Sequence, residues 1–494
     1  MMRPSIAAPV LPGVPCQVSL PEHRVWLESE TWAWKEICEG RNADFHRRHG
    51  RLDPKITVGW NEKRKLGQVF LETILLHEPF HSAIQRRGVR IVGAWFSERI
   101  ELENARVNYE LWLAESRFEA PVDIGNARID KHFLLSGSNF EDVLDMHNLQ
   151  VHGGLLMRNK ANFRGDVILR NARVGGQLSM IDSTFEATVD MGSLQVDGSL
   201  LMYGKTNFKR EVRLSSANVG DQVSMSGSWF EGAVIMDSMQ IGSSLFMHEG
   251  ATFKRDVILR STKVGGQLSM IGSTFEGAMN MGNLQVGSSL FMRDKAFKGD
   301  VMLISAKVGG TLEMTRSTFE GAVIMGNLQV GSNVLMRDKA TFKKDVILDG
   351  EVGGTLEMGG STFEGAVNMG NLQVGSSLFM RDKATFKGGV ILTNARVGGQ
   401  LVMDGSTFEG PINMDDLRVA SGLFMNGGIF KHPISLIFAN LGGDLDLSGA
   451  ELSTLYLTGT RVGGELRLGS TIHQEPKWRK DALLLLRNTH VTSL

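Results

Sequence analysis

Cysteine is scarce in this chain: only Cys16 and Cys38 occur among 494 residues. Two cysteines do not make a disulfide framework, so a reducing compartment and a cytoplasmic location are expected. Long apolar runs are missing as well. None reaches the length of about 18 residues that a membrane-spanning helix needs. The N-terminal stretch carries Arg3, but Pro4, Pro9, Pro12 and Pro15 interrupt it, so no secretory signal is expected. Nor is there an excess of one charge, since 53 Lys and Arg stand against 54 Asp and Glu. A sustained 3.6-residue period is absent from most of the chain, which argues against a helical protein.

What the sequence does have is a repeat. VGGQL at Val174 returns as VGDQV at Val219 and VGGQL at Val264, as VGGTL at Val308 and Val352, and as VGGQL at Val397. LGGDL at Leu441 and VGGEL at Val462 close the series. The steps are 44 or 45 residues until the last, which is 21. A fixed period of this kind signals stacked supersecondary units.

Inside each block lies a finer unit. Val397, Leu401, Met403, Phe408, Ile412, Met414 and Val419 are separated by steps of 4, 2, 5, 4, 2 and 5. Two residues is the period of a strand with both side chains on one face. The longer gaps hold Gly, Ser, Asp and Lys, most of them turn formers. Very short strands joined by tight turns predict a mostly β fold, a parallel β-helix. From Val107 to Val462, 355 residues make sixteen coils of about 22 residues. At ~4.8 Å between strands, such a stack would be roughly 75–80 Å long. A second series, from Phe96 to Phe430, runs in the same register on the opposite edge.

The later coils resemble pentapeptide-repeat proteins, whose motif is a small residue, Asp or Asn, then Leu or Phe. AlaAsnLeu at 439–441, AlaGluLeu at 450–452, ThrArgVal at 460–462 and AlaArgVal at 172–174 carry the likeness, which covers roughly residues 89–472. The resemblance implies a right-handed, four-sided β-helix, although the coil here is longer than the family's. Bacterial chains with this longer coil are similar too, and are often labelled membrane-associated oxidoreductases; no residue in this sequence carries that label.

The residue after each Phe alternates in sign: Glu141, Arg164, Glu186 and Lys209, then on to Glu409 and Lys431. Stacked on one edge, these form a self-neutralising ladder in which each opposite-charge pair is worth ~0.2–1 kcal/mol. Some pentapeptide-repeat proteins mimic DNA and act on topoisomerases, which needs an acidic face. Alternation argues against that role, and a nucleic-acid groove would need clustered cations.

Three motifs invite chemistry. Among the 25 methionines, one column runs from Met157 to Met425 and another exchanges with Leu in register, so thioethers are expected inside the core rather than on a soft-metal path. His77, Glu78 and His81 fit the zinc pattern His-Glu-x-x-His, which requires one continuous helix. Pro79 breaks that helix near His77 or Glu78, so no metal is expected there. Gly-Gly and Gly-Ser pairs after each Val look like phosphate loops, yet they recur at a β turn in every coil and should instead supply positive-φ corners.

The ends depart from the repeat. Residues 1–88, with a helix near 62–78, read as a capping or docking domain. Trp32, Trp34, Arg47, Arg48, Lys63, Arg64 and Lys65 are its candidate contact residues. Residues 89–472 make sixteen to seventeen coils. Residues 473–494 form an excursion around Pro476 and Trp478 and a partial, uncapped coil, with Leu484, Leu486, Val491 and Leu494 as candidate contacts. The sum is a non-catalytic scaffold or protein-interaction module with no cofactor, a protein partner, and possible pairing of copies through the C-terminal coil. The alternatives are a redox or zinc enzyme built on the N-terminal domain and a DNA-mimic regulator of a topoisomerase.

Overall fold

The computed structural model describes Cys16, Val18, residues 25–469 and residues 475–493. It consists of two compact units, Met1–Arg210 and Glu211–Leu494. Both are built from the same parallel coil, and the solenoid has about 18 turns. Six Phe-bearing strands, from Trp95–Phe96 to Asn207–Phe208, belong to the first unit. Twelve strands of the same column, from Trp229–Phe230 to Lys477–Trp478, belong to the second.

Each coil has four short strands, most of two residues. In the coil that begins at Arg106–Val107 the others are Leu111–Ala114, Arg117–Phe118 and Val122–Asp123. Strands pair in parallel with the equivalent strand of the next coil, as Leu268 with Leu290, Phe275 with Phe297, Met279 with Val301 and Val286 with Val308; the register shifts between Met325 and Leu328 and between Val462 and Glu465, while the core valines there stay paired. The 2-then-5 spacing explains this register. Leu and Met two apart both point inward, and a one-residue slip would turn both outward. Accordingly Met292, Met314, Met336 and Met380 are fully buried, as core packing requires.

Phe rings stack along one edge. In the first unit Phe118 and Phe140 have centroids 4.3 Å apart and planes 2° apart; in the second, Phe342 and Phe363 are 4.8 Å and 0° apart. Each such contact adds ~0.5–1.5 kcal/mol to the burial of the ring. Aspartates reinforce the stack: Asp256, Asp300 and Asp345 accept the backbone N–H of Ala278, Ala322 and Ala366 one coil on.

The corners correct the expectation for the glycine pairs. Positive φ falls instead on Asn283, Asn327 and Asn371, at 55°, 53° and 62°. Short polar side chains tolerate that region. Where glycine follows the Val, close approach favours it, while His152, Asp197 and Ala420 fill the equivalent place in other coils. A Cβ on Gly265, Gly287 or Gly309 would lie 2.2, 2.2 and 2.4 Å from the carbonyl oxygen of the equivalent glycine one coil earlier.

Four helices precede the first coil: α1 (Glu28–Cys38), α2 (Phe45–His49), α3 (Gln68–Leu76) and α4 (Phe80–Ala83), with a 3-10 turn at Glu62–Arg64. The helix read over 62–78 is therefore two pieces, because Lys65 bridges to Trp95 between them. Trp26, Trp34, Phe70 and Phe80 make an aromatic core, with Phe80 5.4 Å from Trp26 and 5.0 Å from Trp34. Three of the four sides of the first coil receive hydrogen bonds from this segment. Ala43–Asp44 pairs in parallel with Ile91 and Val92. Leu66 N–H donates to the Trp95 carbonyl at 2.9 Å. The Gln68 amide accepts from Glu101 N–H at 2.8 Å and donates to its carbonyl at 2.7 Å, as a neighbouring strand would.

Cys16 and Cys38 are joined by a disulfide, against the reducing compartment expected from so few cysteines. Their spacing of 22 residues bears no mark of pairing; the contact arises because α1 ends at Cys38 where residue 16 returns. Burial of Cys38 in this bond removes the ground for assigning a reducing compartment. Among the described residues no helix is long and apolar enough to cross a membrane.

Candidate functional site

The edge beside the Phe stack is neutral, as its sequence reads, and it is built from pairs. In the first unit Arg164 reaches Glu141 at 2.7 Å and Lys209 reaches Glu186 at 3.1 Å. In the second unit Lys298 meets Glu276 at 3.3 Å, Lys343 meets Glu320 at 3.5 Å and Lys387 meets Glu364 at 2.9 Å. Each cation pairs closest with the acid one coil before it. The hydrogen bond from Lys431 draws the Glu409 carboxyl below the usual carboxylate range. Burial pushes the Glu186 carboxyl up, but the hydrogen bonds from Lys209 and Asn162 and the charges of Lys209 and Arg164 together outweigh it, and the net shift is downward.

A second outward column behaves differently. It is formed by the residue immediately before each Val of the repeat, on the strand face opposite the core. From Asn218 to Arg461 in the second unit it holds five cations, six amides and one acid, Glu351. The cations are Lys263, Lys307, Arg396, Arg418 and Arg461, and all five are exposed. Among the described residues none of the five pairs with a carboxylate, in contrast to the lysines beside the Phe stack. The amides Gln240, Gln285, Gln329 and Gln373 stand between them, also exposed.

Beside this column runs the glycine row, whose missing side chains leave bare backbone. The result is an open groove of about 490 Å³ between Asn218 and Gly309. Gln240, Lys263, Gln285 and Lys307 line it together with Gly242, Gly265 and Gly287. Its floor is rigid because the valines behind the column are buried: Val264 and Val286 are 2% and 3% exposed. Such a surface offers two exposed cations two coils apart, amide donors and acceptors, and no acid among the residues that line the groove. The signal for it was present in the sequence as the residue preceding each Val.

The residues singled out from the sequence lie elsewhere. Trp34 is buried at 2%. Trp32 packs on Phe45 and holds the Arg48 guanidinium 4.6 Å from its ring centre, while Arg48 also reaches Glu28 at 2.9 Å. Arg64 is buried and donates to the carbonyls of Gly50 and Gly93; burial holds its pKa below the usual guanidinium value. Lys65 pairs with Glu62 at 3.8 Å, and Arg47 and Lys63 are exposed. At the other end Leu484 pairs with Leu455 and Val491 with Val462, so an eighteenth coil forms. Leu486 is 46% exposed. Leu494 lies outside the described residues.

His77, Glu78 and His81 are not gathered into a site. α3 ends at Leu76, and His77 turns to Glu72 at 3.6 Å. His81 lies on α4 with Glu78 at 3.5 Å. His46 sits under Arg64, and burial holds its imidazole below the usual value of 6.5. The acid and histidine side chains that do come within 4.8 Å of one another, among the described residues, are Asp123, Asp145 and His147. Their atoms are already engaged: Asp123 Oδ1 accepts from Gly125 N–H and Asp145 Oδ1 from His147 N–H, each at 2.9 Å. A further cleft, of about 1270 Å³, separates Arg51 to Lys55 from the coil face at Trp112 and Arg158; its charges are of both signs, with Arg51 on Glu115 at 2.8 Å.

Compared with protein-family models, with curated proteins and with solved structures, the chain finds no match in any of the three.

Proposed function

We propose that this protein is a rigid, non-catalytic β-helical scaffold that presents binding surfaces along its coils. The observation that carries this reading is the pairing of equivalent core positions from coil to coil. A group on one coil recurs on the next, so the chain offers continuous surfaces rather than one singular constellation, whereas catalysis needs particular groups brought together once. The stacked Phe rings and paired charges support rigidity. The helices α1 to α4 act as the cap of the first coil, with Gln68 and Ala43–Asp44 hydrogen-bonding its edge. The last coil supplies an apolar contact for a second copy of the chain through Leu483 and Leu486, 58% and 46% exposed.

Light scattering, elemental analysis and an absorbance spectrum on one purified sample test this. The expected result is a colourless protein without stoichiometric metal whose association is weakened by Leu486→Lys. Stoichiometric zinc, iron or flavin would contradict it and turn attention to an enzyme.

A further inference from the structure

We infer that the column beginning at Asn218 binds a linear, sparsely charged acidic polysaccharide. The inference rests on the scaffold reading and names a partner class for one of its surfaces.

The first ground is the missing counter-charge. Lysines beside the Phe stack are neutralised one coil away, so their alternation serves the fold. Lys263, Lys307, Arg396, Arg418 and Arg461 have no such partner among the described residues, and Glu351 is the one acid in their column. Stacking like charges without neutralisation opposes folding, by a few tenths of a kcal/mol per close pair. The uncharged glutamines between many of them relieve this and leave the positive charge directed at solvent.

The second ground is charge density. Nine coil steps separate Lys263 from Arg461. At ~4.8 Å per coil the five cations average about one per 9 Å, against one phosphate charge per ~1.7 Å of duplex DNA. Duplex nucleic acid would leave most of its charge unmatched. An extended polysaccharide chain advances by about one coil rise per sugar, so a carboxylate on every second sugar meets the interval between Lys263 and Lys307 and again that between Arg418 and Arg461, both two coils.

The third ground is what stands between the cations. Gln240, Gln285, Gln329 and Gln373 each offer a donor and an acceptor, which suits sugar hydroxyls. Alongside Lys263 and Lys307, from Asn218 to Gly309, the glycine row leaves a groove with no side chain to block a chain lying parallel to that part of the column.

The test is binding of the full chain to hyaluronan, which carries one carboxylate per disaccharide, with neutral dextran and a DNA duplex as comparators. Glutamine replacing all five cations should weaken hyaluronan binding by roughly tenfold or more, and added salt should weaken the unaltered protein in the same direction. A control that replaces Lys298, Lys343 and Lys387 with glutamine should bind as before. Melting curves on both variants establish that they are folded. Equal binding by the five-cation variant, absence of hyaluronan binding, or tighter binding of the DNA duplex would each overturn the inference. None of these outcomes touches the scaffold reading, which stands on metal content and rigidity.

Discussion

The Lys387 ammonium lies 2.9 Å from Glu364 Oε1 on the preceding coil, while Lys307, on a different column of the same unit, pairs with no acid among the described residues. Position in the coil therefore decides whether a cation serves the fold or faces outward. Reversing one partner tests the first role. Glu364→Lys should lower stability by about 0.2–1 kcal/mol, and adding Lys387→Glu should restore only part of it, because the reversed pair faces Lys343 and Glu409 with like charge on its outer sides. The sign with pH follows from Glu409. Its folded pKa lies below the usual 4.5, so its contribution is present above that value and is lost as pH falls through the folded pKa. Chemical denaturation of the single and double variants reads both effects.

Glycine identity is set by stacking. Gly287→Ala places a methyl group 2.2 Å from the Gly265 carbonyl oxygen and should cost about 1–3 kcal/mol as overpacking. Gly326, whose Cβ would meet nothing closer than Asp349 Oδ1 at 4.0 Å, is the control and should accept alanine with little change. Comparable losses at both positions would refute the stacking explanation.

The N-terminal helices carry a pH-sensitive group. Burial holds the His46 imidazole below 6.5, with Glu115, Arg64 and Asp44 as the charges around it. A depressed histidine pKa means that the unfolded chain binds the proton more readily. Stability should then fall as pH drops through 6.5 toward the folded value. His46→Gln should flatten that part of the melting-temperature profile; an unchanged slope would assign it to another group.

The Cys16–Cys38 bond predicts no titratable thiol in denatured, unreduced protein and two after reduction. Closing a loop of 22 residues is worth roughly 3 kcal/mol in the chain-entropy account. Cys38→Ser should lower the stability of the helical segment by about that amount. Two free thiols before reduction would contradict the bond.

Most of the coil was legible because its signals are local. Leu401 and Met403 stand two apart and Phe408 five further on, which fixes strand, turn and face together. Pro79 likewise marks the end of α3 in the residues themselves. What escaped depends on distance in space. Cys16 and Cys38 carry no spacing signal. Arg64 looks like a surface cation until Gly50 and Gly93 are folded over it. The glycine rows read as turn formers because the carbonyl they approach belongs to another coil. The column was written before every Val, yet its meaning depends on Lys263, Lys307, Arg396, Arg418 and Arg461 meeting no carboxylate among the described residues, which only the three-dimensional arrangement reveals.

Hydrogen exchange followed peptide by peptide tests the central claim of a rigid coil stack most directly. In each unit, amides of interior coils, such as those of residues 111–200 and 245–446, should exchange slowly and to a similar degree, with the coil of residues 475–493 exchanging faster. Rapid exchange in an interior coil, comparable to that of unfolded chain, would contradict the account.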